Sequence, residues 1–285
     1  MSAPQIFDSF YSLCRQYKFQ KERRIMTDKP EEWKNYEDFA AGIATNRLPA
    51  SNDLTGKSFN LLLDNGRRMT LAFIGANEVN VTENAQTTNE WCEVVLVAKE
   101  TYFVDMTFST LQNVAETLII SLASNRVLSI RSVIRAAGEV SGEPRVAQDW
   151  VPGIIEGQDV TGNPAHESRD LIGLRALYTY SPNHVYEHVY LSSKRYCWQN
   201  LKGVQYGHGD TDLATTFEFA PNQYVFGFRE FIIPVASVFF YNFDDMHSTG
   251  KFLGETKDGK AENKPAGAII QKLSMTFYPA GIQPI

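Results

Sequence analysis

The sequence is poor in cysteine and has no long apolar run. Its 285 residues include only three cysteines, Cys14, Cys92 and Cys197, which lie far apart. Their odd number and wide spacing predict neither a disulfide framework nor a cysteine metal site, and are typical of a reducing compartment. No stretch of about 18 apolar residues occurs, so no membrane-spanning helix is expected. The N-terminus also lacks the regions of a signal peptide, and we expect a cytoplasmic protein.

An excess of basic charge is also missing. The 27 lysines and arginines are outnumbered by 33 aspartates and glutamates, which gives a formal net charge of −6. Nucleic acids and anionic membranes require a basic face, so neither is an expected partner. The sequence has no glycine-rich phosphate-binding loop, and we predict no nucleotide, metal or other cofactor.

What the sequence does contain is an internal repeat. Asp53-Leu54-x-Gly56 is matched by Asp170-Leu171-x-Gly173, and nearly the same offset separates the aromatic runs that begin at Tyr102 and Tyr224. A near-constant offset between two landmarks predicts tandem copies of one fold. Each copy consists of short alternating segments separated by turn residues, which predicts an all-β barrel or sandwich.

The composition also suggests how the chain is divided. Apolar residues at helical spacing predict a helix over about residues 4–17, and Asp28 followed by Pro30 is a helix-start signal. We expect this part to be a lid-like extension that packs on the outside of a barrel or on a partner subunit. The predicted domains are a helical extension (1–50), an N-terminal β-domain (51–139), a linker rich in Gly, Pro, Asp and Ser (140–168) and a C-terminal β-domain (169–285).

The sequence His184-Val-Tyr-Glu187-His188 has the H-x-x-E-H spacing of some zinc hydrolases. That motif requires a helix, whereas this stretch follows a Ser-Pro-Asn turn and continues with alternating β-formers. On a strand the two histidines lie roughly 13 Å apart, too far to share a zinc ion. We therefore predict a strand and no metal site.

Polar candidates cluster in the second copy. Gly207-His208-Gly209-Asp210-Thr211-Asp212 is either a source of acid–base groups at a strand mouth or a tight turn capped by its own aspartates, and both interpretations remain open.

Two strands of this copy pose a question of orientation. Tyr178 and Tyr180 share one face of a strand, which is either the barrel interior or its exterior. Glu230 shares a face with Phe228, so Glu230 and not Arg229 is expected to line an interior. A carboxyl that ends an apolar face is either buried, with a raised pKa, or solvated at the rim.

The second copy carries a recognisable series of motifs. It contains Tyr178-Thr-Tyr-Ser-Pro-Asn-His-Val-Tyr-Glu-His-Val-Tyr-Leu191, followed by Asp210-Thr-Asp212 and the strand end Phe228-Arg-Glu230. This series resembles the MoaF family, whose C-terminal half has a Y-R/T-Y-S-P-N-x-V-Y-E-H-x-Y-L pattern, an x-D-T-D turn and a W-R-E strand end. The resemblance covers about residues 40–285. It implies two tandem lipocalin-like antiparallel β-barrels.

A fainter likeness, confined to the second copy, is to phenolic acid decarboxylases, which are also lipocalin-like. Those enzymes hold a substrate carboxylate and phenol with a Y-x-Y pair, an arginine and a strand-end glutamate. Tyr178, Tyr180 and Glu230 match this pattern. The arginine position falls near Gly207-His208, where this chain has no arginine. The likeness therefore implies an acid–base cavity without carboxylate chemistry.

We expect a cofactor-independent enzyme that carries out a proton-transfer lyase, isomerase or cyclase step in the C-terminal barrel. Its partner would be a small hydrophobic molecule of aromatic or polyketide-like character. In this hypothesis Tyr178 and Tyr180 stabilise an oxyanion, and Glu230 or His208 moves the proton. The expected substrate-binding residues are Glu187, Trp198, Asp210, Asp212, Phe228 and Arg229.

Two other hypotheses remain open. A non-catalytic carrier would use the same aromatic cavity to hold a hydrophobic metabolite without changing it. An assembly role would use the N-terminal helices as the arm of a homodimer.

Overall fold

Alternating apolar and polar residues fold each half of the chain into a closed antiparallel β-barrel. The structure is a computed structural model that describes residues 33–140 and 142–285. The strands of the first barrel are β1 (Ser58–Leu63), β2 (Arg68–Phe73), β3 (Glu78–Glu83), β4 (Gln86–Ala98), β5 (Thr101–Phe108), β6 (Leu111–Ser121), β7 (Arg126–Ile134) and β8 (Val146–Ile155). Neighbours in sequence pair with one another, and β1 pairs with β8 to close the ring.

The second barrel repeats this arrangement. Its strands are β9 (His166–Glu167), β10 (Leu174–Ser181), β11 (His184–Tyr190), β12 (Arg195–Lys202), β13 (Gly209–Ala220), β14 (Gln223–Arg229), β15 (Val235–Asn242), β16 (His247–Glu255) and β17 (Ala261–Met275). Strands β10 to β17 form the ring, with β10 paired to β17 and β12 paired to β13. The short β9 pairs with β13 beyond the end of β12. The expected all-β fold of two tandem barrels is confirmed.

The residues that reveal the repeat in sequence are joined in space. In the first barrel the Tyr102 hydroxyl lies 3.5 Å from Asp53 Oδ2, and in the second the Tyr224 hydroxyl donates to Asp170 Oδ2 at 3.0 Å. Each aspartate precedes a buried leucine that enters the barrel core. Gly173 adopts φ +92°, and a Cβ there would lie 2.2 Å from the Thr276 carbonyl oxygen. The repeated motif is therefore a structural corner at one end of each barrel.

Residues 140–168, predicted to be linker, contain a full strand of the first barrel. Strand β8 pairs along its length with β7 and at one end with β1, so the first barrel does not end at residue 139. Pro152 and Gly153 are residue types common in loops, and they contribute to the prediction of a linker. A Cβ at Gly153 would meet the Leu62 carbonyl oxygen at 2.6 Å, so glycine is required by the close approach of β1.

The first barrel is filled by its own side chains. At one end Glu116 lies on the face of β6 that carries the core residue Leu118, and its side chain is fully buried. Arg67 donates to both Glu116 oxygens, at 2.6 and 2.9 Å, and Ser129 donates to Oε1 at 2.8 Å. This ion-pair cluster occupies the end of the barrel interior.

The two barrels pack through the outer faces of corresponding strands. The apolar contact joins β4 to β7 of the first barrel with β13 to β15 of the second. A buried ion pair, Lys251 Nζ to Asp105 Oδ1 at 2.7 Å, lies beside it, and Asn263 donates to the other Asp105 oxygen at 2.5 Å. The interface therefore contains a paired charge as well as apolar surface.

The chain before the first barrel lies on the second one. Helix α1 (Tyr36–Ala40) is preceded by Asn35, whose backbone N–H donates to the Asp38 carboxylate at 3.0 Å. Tyr36, Phe39 and Ile43 are buried in the core of the second barrel. The helix predicted at residues 4–17 and the start signal at Asp28 lie outside the described residues. In the part of the chain that the structure describes, no helix has the length and apolarity needed to cross a membrane.

Candidate functional site

The second barrel encloses a small chamber at the end that α1 covers. The barrel strands contribute six aromatic side chains of Phe, Tyr and Trp to its lining: Tyr180, Tyr186, Tyr196, Trp198, Phe228 and Phe252. They converge because side chains alternate between the two faces of a strand, so every second residue of β10, β11, β12 and β14 faces the interior. The chamber volume is about 30 Å³. Since one water needs about 10–15 Å³ of such volume, the chamber as folded holds about two waters.

Helix α1 and the residues after it close this chamber. Phe39 and Ile43 supply part of its lining. The Phe39 ring packs edge-on against Phe252, with centroids 5.7 Å apart. The turn after α1 is held at the barrel rim, where Asn46 Nδ2 donates to the Thr179 carbonyl at 2.9 Å. This segment therefore forms one wall of the chamber.

Two carboxyl groups are buried at the chamber. Glu230 follows β14 directly and is 7% exposed, and Asp212 on β13 is 0% exposed. Burial raises the pKa of Glu230 well above its usual range, and the negative charges of Asp212 and Asp210 raise it further. Burial also raises the pKa of Asp212 to about 7, although the Trp198 indole N–H donates to its Oδ2 at 2.9 Å and opposes this shift. The two carboxyls therefore interact, and burial favours the protonated form of each.

His188 is a further polar group of the chamber lining. Burial lowers its pKa to about 3, so the imidazole is neutral. Its ring stacks on Tyr178 with centroids 4.2 Å apart. Among the described residues nothing hydrogen-bonds to its Nδ1, and Oδ1 of Asp212 also has no partner.

A group of tyrosine hydroxyls lies deeper in the barrel. Tyr178 and Tyr190 are joined at 2.7 Å, and Tyr190 donates to Tyr241 at 3.2 Å. All three are buried, and burial raises the pKa of each phenol, so they stay protonated. Tyr178 thus faces the interior, as one alternative predicts, but its hydroxyl contacts other tyrosines below the chamber lining.

The structure separates the predicted site residues into three groups. Tyr180, Trp198, Phe228 and Glu230 line the chamber, and Asp212 contacts Trp198 beside it. His208 and Asp210 lie at the rim, where the His208 ring is 6.0 Å from that of Trp33.

The third group, Glu187 and Arg229, points away from the chamber, and their predicted role in substrate binding is not supported by their position. Glu187 faces outward because it is the residue before His188 on β11, and His188 faces inward. Arg175 Nε donates to it at 2.5 Å, and this contact lowers the pKa of Glu187. Arg229 faces the first barrel and donates to Gln148 Oε1 at 3.0 Å.

Several residues that line the chamber are not among the site residues predicted from the sequence. Tyr186 and His188 could have been found, because they alternate on β11 as Tyr178 and Tyr180 do on β10, and the register pairs Tyr178 with Tyr186. Phe39 gives no such signal, because only the tertiary fold brings α1 to the second barrel.

Comparison with known proteins places this architecture in a family. A family model described as the MoaF N-terminal domain matches residues 31–136, and one described as the MoaF C-terminal domain matches residues 165–276. The chain belongs to the MoaF family. The Klebsiella aerogenes protein MoaF is 41% identical over 110 residues, which are 38% of this chain and 42% of that relative. The match to this MoaF protein thus spans less than half of its length.

A solved structure described as a putative beta-lactamase from Burkholderia vietnamiensis is similar to part of the chain. It is 12% identical, with a TM-score of 0.32, and the match covers 36% of this chain and 95% of that one.

Proposed function

We propose that this MoaF-family chain is a cofactor-independent enzyme that catalyses proton transfer in the chamber of its second barrel. The substrate is a hydrophobic molecule of aromatic or polyketide-like character, and the reaction is a lyase, isomerase or cyclase step. The observation that supports this proposal is the pair formed by Glu230 and Asp212. Both carboxyls are buried, and both have raised pKa values beside an aromatic cavity.

The chemistry follows from these pKa values. An acid whose pKa lies near the working pH is present in both protonation states, so it can accept a proton and return it. The ionised member of the pair removes a proton from a substrate carbon, and the electrons of the broken C–H bond move onto an adjacent carbonyl oxygen. The protonated member delivers a proton to a second carbon, which completes an isomerisation with no net change in protons.

Tyr180 is suited to stabilise the oxygen that becomes negative. Its side chain lines the chamber, and burial raises the pKa of the phenol, so it stays a hydrogen-bond donor. A donor already fixed near a developing oxyanion lowers the barrier more than water would. We propose supporting roles for Tyr178, Trp198 and Phe228, and none for Glu187 or Arg229.

A second candidate function is a carrier for a hydrophobic metabolite. It is favoured by the closure of the chamber by Phe39 and Ile43, because a cover over an apolar cavity retains a ligand without any chemistry. A carrier would release its ligand unchanged.

The experiment that separates the two starts from molecules retained by the purified protein. They are released by denaturation, identified by mass spectrometry and incubated with fresh protein in D₂O. An enzyme of this type incorporates deuterium into the ligand, and Glu230→Gln slows incorporation at least about tenfold. Glu187→Gln, the same change on the outer face, leaves the rate unaltered. Recovery of the ligand without deuterium from the wild type would refute proton transfer and favour the carrier.

A further inference from the structure

We infer that the chamber of the second barrel binds the ammonium group of a primary amine, held by Glu230 and Asp212 and surrounded by aromatic rings. This inference rests on the proposed function, because it assumes that the chamber is a ligand site, and it adds the charge of the ligand. The positive charge belongs to the buried head group, and the body of the ligand is apolar.

The charge distribution is the first argument. Within the described chain, the chamber lining contains Glu230 and neither lysine nor arginine. Asp212 and Asp210 act on Glu230 with the same sign of charge. Arg195, whose guanidinium lies over the Phe231 ring at 4.9 Å, has only a minor effect on Asp212. An anionic head group would therefore face carboxylates without a counter-charge, whereas a cation would neutralise them.

Unmet hydrogen-bonding capacity is the second argument. Asp212 is 0% exposed and His188 is 3% exposed, yet among the described residues Asp212 Oδ1 and His188 Nδ1 have no hydrogen-bond partner. Gln205 Oε1 already accepts a hydrogen bond from the Tyr186 hydroxyl at 2.8 Å. Buried polar groups are rarely left without partners. The groups that lack a partner include a carboxylate and a neutral imidazole, and an ammonium group supplies three N–H donors to such acceptors.

The aromatic lining is the third argument. Tyr186 and Trp198 have ring centroids 6.0 Å apart, and Tyr196 and Phe228 lie 5.3 Å apart. These rings line a space of about 30 Å³, which suits a small head group. A desolvated ammonium over an aromatic face gains cation–π attraction, which a neutral hydroxyl of similar size does not.

The test uses three probes that share a benzyl group and differ in charge. Benzylammonium, benzyl alcohol and phenylacetate are titrated into the 285-residue chain, and binding is measured by calorimetry and by the shift in Tm. We expect benzylammonium to bind at least about tenfold more tightly than benzyl alcohol, and phenylacetate to be the weakest. Asp212→Asn combined with Glu230→Gln should remove this preference. The matched control Glu187→Gln, on the outer face of β11, should keep it.

Each outcome of these titrations either supports or overturns a charged ligand. Absence of benzylammonium binding overturns the inference, and so does equal or tighter binding of either other probe. Tight binding of benzyl alcohol that depends on Trp198 would refute a positively charged ligand, and the proposed function would be unaffected. Benzylammonium binding with no deuterium exchange into any retained ligand would support this inference and refute the proposed enzymatic function.

Discussion

Two glutamates of the second barrel show how strand position sets the chemistry of a side chain. Glu187 lies on the outer face of β11 beside Arg175, and this contact lowers its pKa. Glu230 lies on the inner face at the end of β14, and burial raises its pKa. Both glutamates are candidates for the site from the sequence, although alternation along a strand separates inner from outer positions.

Asp212 should make stability depend on pH. Its pKa rises from 3.8 to about 7 on folding, so over that range the folded protein keeps a proton that the unfolded chain has lost. The free energy of unfolding therefore falls as the pH rises through this window, and the loss persists above it. Glu230 and Asp210, which face Asp212, act in the same direction, while Trp198 and Arg195 oppose it.

We predict that Asp212→Asn raises the free energy of unfolding by on the order of 1–3 kcal/mol at about pH 8, with little effect at about pH 4. The amide removes the buried charge and can still accept the Trp198 hydrogen bond. Denaturant unfolding at several pH values measures the difference. A variant less stable than the wild type at about pH 8 would show that the ionised form of Asp212 stabilises the fold.

The repeated corner offers a matched pair of single-atom changes. Tyr224→Phe removes a 3.0 Å hydrogen bond to Asp170, and Tyr102→Phe removes the longer 3.5 Å contact with Asp53. We predict a loss of about 1–2 kcal/mol for the first and less than about 0.5 kcal/mol for the second, because hydrogen bonds weaken with distance. Equilibrium unfolding of both variants checks the order, which equal losses would contradict.

At the scale of elements, the junction after α1 depends on one glycine. Gly42 has φ +86°, and a Cβ there would lie 2.8 Å from the His184 ring. We predict that Gly42→Ala weakens docking of residues 36–47 by about 1–2 kcal/mol and speeds their amide exchange roughly 5- to 30-fold. Gly138→Ala, where nothing lies within 4 Å of the added Cβ, should change nothing.

Hydrogen exchange followed by mass spectrometry tests this prediction. Faster exchange confined to residues 36–47 is expected, while β10 to β17 keep their protection. Acceleration spread over the whole second barrel would mean that the segment is part of the barrel's cooperative unit and does not open separately.

Strands and helix differed in how much the sequence revealed. Period-two alternation identifies the strands that carry Tyr180 and Glu230, and the Asp64-Asn-Gly turn marks the first hairpin, with Gly66 at φ +86°. Strand β8 was missed because Pro152 and Gly153 are loop residues by composition, and ring closure decides their conformation. The position of Phe39 over the chamber depends on contacts between distant parts of the chain, which no local pattern reports.

For the whole molecule, the buried pair Lys251–Asp105 should govern how firmly the barrels hold each other. Its atoms are 2.7 Å apart, and the side chains are 1% and 8% exposed. Removing Lys251 leaves the buried Asp105 carboxylate without a counter-charge, and burial already raises the pKa of Asp105. We predict that Lys251→Met costs about 3–5 kcal/mol and that adding Asp105→Leu recovers most of this loss.

Thermal unfolding of the single and double variants measures this coupling. If the double variant is as unstable as the Lys251 variant, the loss arises from packing and not from the unpaired carboxyl. Glu262→Gln, a change to an acid on β17 whose partner Lys264 is half exposed, serves as the control and should have little effect.

The docking of α1 onto the second barrel has a consequence for biosynthesis. Domains form in the order in which the ribosome releases them, so the first barrel can close while its neighbour is still untranslated. Phe39 and Ile43 leave the ribosome before either barrel, yet the surface that receives them is complete only with β17. These side chains can dock only after β17 has been released, so the chamber is sealed after the second barrel has formed.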